Sequence, residues 1–325
     1  MTGRAGAGSM RRMAVLVLRI PVRHRRPAAA AALLATVLAA AGAADAAEKL
    51  IASVPGTDFT VGGTAVVQAV PFAVAGPVSG VGFTARWSAA VADEENGLAP
   101  WSLDLAATIT APDGSSTLTW PRFGGDRTYA DYPLQDFIGG FADVGGSGTF
   151  QWRFTSVGPP WVAALSDVEY HLTTRVDDVT ATYTGSVAAG PTWSRPYYIA
   201  GVSGLGPMVY QAMPFQVAVS GGYAFTSVVA SGNHFLALYR GGFDPAQPLV
   251  NLLDYEAGNG SSPNGPPAGT ARISALLFEG RSYYLVASQW SAGTPGQSYT
   301  TTVVGPGALV VEGLDRLFAD GFEAP

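Results

Sequence analysis

The sequence of 325 residues contains no cysteine, and only 13% of its residues are charged. Without cysteine there is no disulfide framework and no thiol nucleophile, so each domain must be held together by its hydrophobic core. The scarcity of charge excludes a coiled coil and an intrinsically disordered chain, both of which are rich in charged residues. Domains of more than a hundred residues can bury enough apolar surface to be stable without cross-links.

Glycine, proline and apolar residues take the place of the missing charges. The chain has 41 Gly and 23 Pro, and 48% of its residues are hydrophobic. Many turn residues among Val, Thr, Tyr and Phe favour short strands over helices. The length suits two domains rather than one. We therefore predict an all-β chain with two β-sandwich or jelly-roll domains in tandem.

The first 46 residues have the pattern of a secretory signal peptide. The basic stretch Arg23–Arg26 is followed by an uncharged, Ala-rich run that closes on Ala44-Asp45-Ala46. A basic region, an apolar region and a small-residue ending are typical of a cleaved leader. A retained membrane anchor is the alternative, but the run is short of the roughly 20 strongly apolar residues that a span needs. We predict cleavage after Ala46, with cleavage after Ala43 as the alternative, and a secreted or cell-surface protein.

The chain that remains after this cleavage is strongly acidic. From Ala47 onward there are 11 basic residues, with Lys49 the one lysine, against 23 acids, a net charge of −12. A phosphate backbone repels such a surface, so the sequence predicts no nucleic-acid partner.

Residues 47–187 read as the first sandwich. Phe150, Trp152 and Phe154 alternate with polar residues, as in a strand with one buried face. Pro112-Asp113-Gly114 separates two strand-like segments, which predicts a hairpin. Asp104-Leu105, the same Pro-Asp-Gly turn and Gly148-Thr149 resemble the jelly-roll P domain of subtilisin-like proprotein convertases. The sequence departs from that family at Phe150, where Trp is preferred. The resemblance implies an accessory module rather than a catalyst.

Residues 188–196 are predicted to be a linker, and residues 197–310 a second sandwich. From about Trp193 to Gly307 the order of motifs resembles the pre-peptidase C-terminal-like β-sandwiches of secreted bacterial proteins. The segments that carry this resemblance are Phe215-Gln216-Val217, Gly222-Tyr223-Ala224-Phe225, Leu236-Ala237-Leu238-Tyr239 and Gly280-Arg281-Ser282-Tyr283-Tyr284-Leu285-Val286.

Residues 311–325 form a separate C-terminal tail. Its acids exclude a membrane anchor. The segment "DRLFADGFE" resembles a short ending shared by otherwise unrelated secreted bacterial proteins. This resemblance implies an address that a sorting or processing factor reads, and the alternative is a tail docked on the second sandwich.

The search for catalytic residues favours a protein that is not an enzyme. His171 and His234 are the histidines beyond the leader, and a structural role is expected for both. The adjacent acids Asp93-Glu94-Glu95 and Asp177-Asp178 are typical of solvated turns. We predict a binding, adhesion or accessory role, with an extracellular glycan or a surface protein as partner. A polysaccharide hydrolase or lyase, or a carbohydrate-binding module, is the alternative.

Two acidic segments are candidates for Ca²⁺, the one cofactor that the sequence suggests. Calcium takes six to eight oxygen ligands, which Asp side chains and loop carbonyls can supply. The alternative for both is a set of acids that cap turns and face water. The first candidate comprises Asp126, Asp131, Asp136 and Asp143, and the second comprises Asp254 and Glu256.

Overall fold

The computed structural model describes most of the chain beyond the leader. The described residues are 47–90, 105–119, 132–141, 143–156, 162–197, 201–258, 260, 266–293 and 295–311. In these ranges every regular element is a β-strand, which confirms the all-β sandwich prediction. No helix in them could span a membrane. The predicted leader and all but the first residue of the predicted tail lie outside the described residues.

The largest sheet has nine antiparallel strands and runs through both halves of the chain. In spatial order these are β10 (Val179–Ser186), β20 (Ser298–Gly305), β15 (Gly221–Val229), β1 (Glu48–Pro55), β9 (Val162–Arg175), β4 (Gly80–Ala90) and β7 (Tyr132–Ile138), with β2 (Phe59–Val61) on β9 and β18 (Thr270–Leu277) on β15.

A four-stranded sheet covers one half of the long sheet and forms the first sandwich. Its strands are β3 (Val66–Ala73), β8 (Ser147–Ser156), β5 (Leu105–Thr110) and β6 (Ser116–Thr119). The predicted alternation in β8 is confirmed, since Phe150, Trp152 and Phe154 are buried in the first core. The predicted hairpin is confirmed as well: β5 pairs with β6, and Gly114 N–H donates to the Ala111 carbonyl at 2.9 Å.

A six-stranded sheet covers the other half of the long sheet and forms the second sandwich. It consists of β11 (Thr192–Trp193), β14 (Met208–Val217), β19 (Tyr283–Gln289), β16 (His234–Arg240) and β17 (Leu252–Gly258), with β21 (Leu309–Val310) on β14. A two-stranded ribbon, β12 (Pro196–Tyr197) and β13 (Gly201–Val202), follows β11.

The two cores separate earlier in the sequence than the predicted linker. The first core contains residues between Val61 and Leu172, and the second contains residues between Val187 and Leu309. Strand β10, which we expected in the first domain, pairs along its whole length with β20, and Tyr183 packs on the second core. Alternation identifies β10 as a strand but carries no information about its neighbour. The domain boundaries themselves stay a prediction.

The junction between the sandwiches is a close backbone approach of β1 and β15. Glu48 lies opposite Arg175 of β9 on one side and opposite Gly222 of β15 on the other. A Cβ atom on Gly221 would overlap the Glu48 carbonyl group and also contact the Pro306 ring at 2.7 Å. The joint therefore requires a residue without a side chain at position 221.

We predict that Gly221→Ala lowers the free energy of unfolding by about 1–3 kcal/mol, because the added methyl group forces the two backbones apart. Chemical denaturation measures the change. Gly293→Ala is the matched control, since a Cβ atom at Gly293 would have no neighbour within 4 Å. Equal stability of the two variants would contradict a tight joint at β1 and β15.

Candidate functional site

The first predicted calcium segment is described only in part. Asp126 and Asp131 lie outside the described residues. Asp136 lies in β7, and its carboxylate accepts hydrogen bonds from the Thr119 hydroxyl at 2.6 Å and from the Phe137 N–H at 2.9 Å. Asp143 is exposed in the loop that follows. Asp136 thus joins the edge strands β6 and β7 of the first sandwich, and a calcium site in this segment stays a prediction.

The second predicted segment is a strand, which corrects the expectation of an acidic loop. Asp254 and Glu256 lie within β17, opposite Leu238 and Leu236 of β16, and both are half-buried. Leu253 enters the second core, whereas Leu252 belongs to a separate apolar cluster on the other face of the sheet, and this burial on both faces makes the segment a strand. Asp254 also lines a small cavity of about 40 Å³ between β7, β17 and β18.

The described residues contain no group of three or more His, Asp or Glu side chains that could hold a metal ion. Within those residues, neither acidic segment converges on a ready-made ligand set. Calcium binding by these acids therefore stays a prediction, and the geometry of the described residues points to a different surface as the candidate site.

Both histidines are buried and hydrogen-bonded, in agreement with the structural role expected of them. His171 Nδ1 lies 2.9 Å from the Ser53 hydroxyl, and its Nε2 lies 2.8 Å from the Thr84 hydroxyl. His234 Nε2 lies 2.8 Å from the Ser227 hydroxyl. Burial lowers the pKa of each imidazole to about 4, and the positive charge of Arg281 adds to the effect at His171.

We predict that neither histidine of the folded protein titrates between pH 8 and pH 5. The unfolded chain, whose histidines have a pKa of about 6.5, then binds more protons than the folded chain. The contribution of these histidines to the free energy of unfolding is fully present above pH 6.5 and is lost as the pH falls toward 4. NMR of the imidazole protons measures both titrations, and the protein in urea is the control that should titrate near pH 6.5. A folded-state midpoint near 6.5 would contradict the burial of these rings.

The outer face of the six-stranded sheet carries a third apolar cluster, separate from the two sandwich cores. Its floor is formed by the buried rings of Trp193, Phe235 and Tyr239. Five half-buried rings, which we call the aromatic face, lie above and around this floor. They belong to Tyr210, Phe243, Tyr255, Tyr284 and Trp290.

The rings of this cluster contact one another across neighbouring strands. Phe243 lies with its centroid 5.4 Å from Trp193, 5.3 Å from Tyr210 and 4.9 Å from Tyr239. Tyr255 stacks on Phe235 at 5.5 Å. Tyr210 and Tyr255 lie on β14 and β17, three strand spacings apart, so the face extends roughly 14 Å across the sheet.

Hydrogen bonds fix the floor beneath these rings. Trp193 Nε1 donates to the Ser288 hydroxyl at 2.9 Å, and that hydroxyl donates to the Val209 carbonyl at 3.0 Å. The Tyr239 hydroxyl donates to the Pro248 carbonyl at 2.7 Å. The aromatic face therefore rests on a rigid base.

Arg195 places a buried cation at the aromatic face. Its guanidinium carbon lies 4.0 Å from the centroid of Trp290 and 4.7 Å from that of Phe235. Nε donates to the Trp290 carbonyl at 2.9 Å and Nη1 to the Pro196 carbonyl at 3.0 Å. The side chain is 1% exposed, and within the described chain Nη2 has no hydrogen-bond partner. Burial lowers the pKa of Arg195 to about 10, which leaves it charged at neutral pH.

Exposed apolar residues lie on the ribbon that adjoins this cation. Tyr197, Val202 and Leu205 are each between 47% and 49% exposed. The Leu205 carbonyl accepts the Ala292 N–H at 2.9 Å, which places the segment after the ribbon beside Trp290. Half-buried rings, a buried donor and an apolar rim are the components of a ligand-binding surface.

Sequence reasoning did not identify the aromatic face. The aromatic residues that it identified by alternation, Phe150, Trp152 and Phe154, are buried in the first core. The signal that could have found the face is the start of strand β19, in which Tyr283, Leu285 and Ala287 alternate with Tyr284 and Val286, so that both sets are apolar. Such a strand is covered on both faces.

No protein-family model matches the sequence, and no curated protein sequence matches it. Among solved structures, the N-terminal CBM22-1–CBM22-2 tandem domain of Xyn10C from Paenibacillus barcinonensis is 10% identical, and the match covers 82% of this chain and 100% of that chain at a TM-score of 0.24. The T=1 Penaeus vannamei nodavirus structure is 7% identical, covering 78% and 99% at a TM-score of 0.21. The STIV MCP is 10% identical, covering 81% and 97% at a TM-score of 0.21. Likenesses this distant carry no argument about function.

Proposed function

We propose that this chain is a secreted or surface-associated protein that is not an enzyme and that binds an extracellular glycan through the aromatic face. The observation that carries the proposal is the set of half-buried rings on the outer face of the six-stranded sheet, beyond the two cores that stabilise the fold. A sheet face that served only stability would not need this second layer of rings at its surface.

The chemistry of the face suits a sugar. The C–H face of a pyranose ring packs against an aromatic ring, and Tyr supplies a large contact area with little loss of side-chain entropy. The face crosses several strands, which suits an extended chain of sugars rather than a single one.

We predict that Tyr255→Ala combined with Tyr284→Ala weakens glycan binding about tenfold or more, because two stacking rings are lost. The ligand is first identified on a glycan array with the chain that begins at Ala47, and affinity is then measured by titration calorimetry. The matched control is the double replacement of the same tyrosines by Phe, which keeps the rings and should bind within about threefold of wild type.

A second control changes the first sandwich. Val67 is 57% exposed on β3, so Val67→Ala should leave both binding and stability unchanged. Undiminished binding by the double Ala variant would move the glycan site away from the aromatic face. An array without any bound glycan would overturn the ligand class and favour a protein partner, and release of reducing sugar ends from a bound polysaccharide would contradict a protein that is not an enzyme.

A further inference from the structure

Ala47, the first described residue, is held in the fold by two backbone hydrogen bonds and by burial. It is 3% exposed. Its backbone nitrogen donates to Asp178 Oδ1 at 2.6 Å, and its carbonyl accepts the Val176 N–H at 2.9 Å. The next residue, Glu48, is buried too, and its carboxylate accepts hydrogen bonds from Ser79 at 2.7 Å and Thr173 at 2.9 Å.

The contact between Ala47 and Asp178 lies where the sequence predicts cleavage. The leader pattern closes on Ala44-Asp45-Ala46, and cleavage after Ala46 would make the Ala47 nitrogen the first atom of the mature chain. Burial of Ala47 is an independent observation, because the leader pattern takes no account of the fold.

We propose that the leader is removed at the Ala46–Ala47 bond and that the α-ammonium group of Ala47 forms an ion pair with Asp178 in the mature protein. Hydrolysis consumes one water molecule: Ala46 leaves with a new carboxylate, and the Ala47 nitrogen takes up a proton to become the ammonium group. The ion pair then joins the N-terminal end of β1 to the turn between β9 and β10.

A charged nitrogen at this place would interact more strongly with Asp178 than a peptide nitrogen does. A peptide N–H offers one neutral hydrogen bond, whereas an α-ammonium group offers three donors and a full charge. Hydrogen bonds between two ionised partners are stronger than those with a neutral donor, and the Ala47 nitrogen lies within hydrogen-bond distance, 2.6 Å, of Asp178 Oδ1. The charged neighbours are Glu48, which binds Ser79 and Thr173 instead, Arg175 opposite Glu48, and Asp177 beside Asp178. The negative charges of Asp177 and Asp178 favour a cation at this place.

The burial of Ala47 also fixes the order of events. A peptidase must hold the residues on both sides of the bond in an extended form, and Ala47 is inaccessible once β1 has paired with β9. Cleavage therefore precedes folding, as in a chain that is exported unfolded. This order makes the ion pair a property of the mature protein alone.

The first test is the mass of the exported protein. Full-length chain is expressed in a host that secretes it, and the intact mass of the secreted product is measured. The expected product begins at Ala47. A product that begins at any other residue, including Ala44 after cleavage behind Ala43, would overturn the proposal.

The second test compares the charged and neutral nitrogens directly. The chain that begins at Ala47 is prepared with a free amine and with an acetylated amine, which keeps the N–H but removes the charge. At pH 6 the free-amine form should melt about 2–4 °C higher. The carboxylate should raise the pKa of the α-ammonium group above its ordinary value of about 8, so this difference is fully present below pH 8 and is lost as the pH rises through the higher value.

Asp178→Asn supplies the matched control. In that variant the free and acetylated forms should melt at the same temperature at every pH, because no charge remains to pair with the amine. An acetylation effect of equal size with Asp178 and with Asp178→Asn would show that the ion pair does not exist. Acetylation needs no side-chain change, so the comparison still decides if Asp178→Asn does not fold.

Discussion

Strand β1 is the element on which both sandwiches depend. It pairs with β9 over most of its length and, at Glu48 and Lys49, with β15 of the second half. The Glu48 side chain of β1 is buried against β4 and β9, where the hydroxyl groups of Ser79 and Thr173 donate hydrogen bonds to one carboxylate oxygen. A buried carboxylate is tolerated only where its hydrogen bonds are met, so the hydroxyls of Ser79 and Thr173 are part of this joint. The long sheet is continuous because β1 pairs with β9 on one side and with β15 on the other.

The continuous sheet explains why an apolar face remains on the outside of the second sandwich. The long sheet supplies one layer to each core, so each remaining sheet has one face toward a core and one face away from it. In β19, Tyr283, Leu285 and Ala287 enter the second core, whereas Tyr284 and Val286 join the outer cluster. An apolar outer layer has no role in closing either core, and this is the physical reason that we propose it as a binding surface.

Sequence patterns predicted what is local and missed what depends on strand partners. The alternation in β8 and the Pro112-Asp113-Gly114 hairpin are set by neighbouring residues, and both were predicted. The pairing of β10 with β20 depends on contacts more than a hundred residues apart. Asp254 looked like a loop ligand because the sequence does not show that its neighbours are buried on both sides. The aromatic face was missed for the same reason, since its rings come from separate strands.

Arg195 is a buried cation within the outer aromatic cluster, and the described residues satisfy its donors only in part. Taking a guanidinium group out of water costs several kcal/mol unless it is paired, and two carbonyls and two rings offset part of that cost. A purely structural arginine would be expected to have a carboxylate partner, and this chain has an excess of acids beyond its leader. Within the described residues no acid forms an ion pair with Arg195, and Nη2 is left without an acceptor. The fold therefore retains a buried cation whose cost is offset only in part, and the two rings that contact it, Trp290 and Phe235, belong to the cluster that we propose as a binding surface.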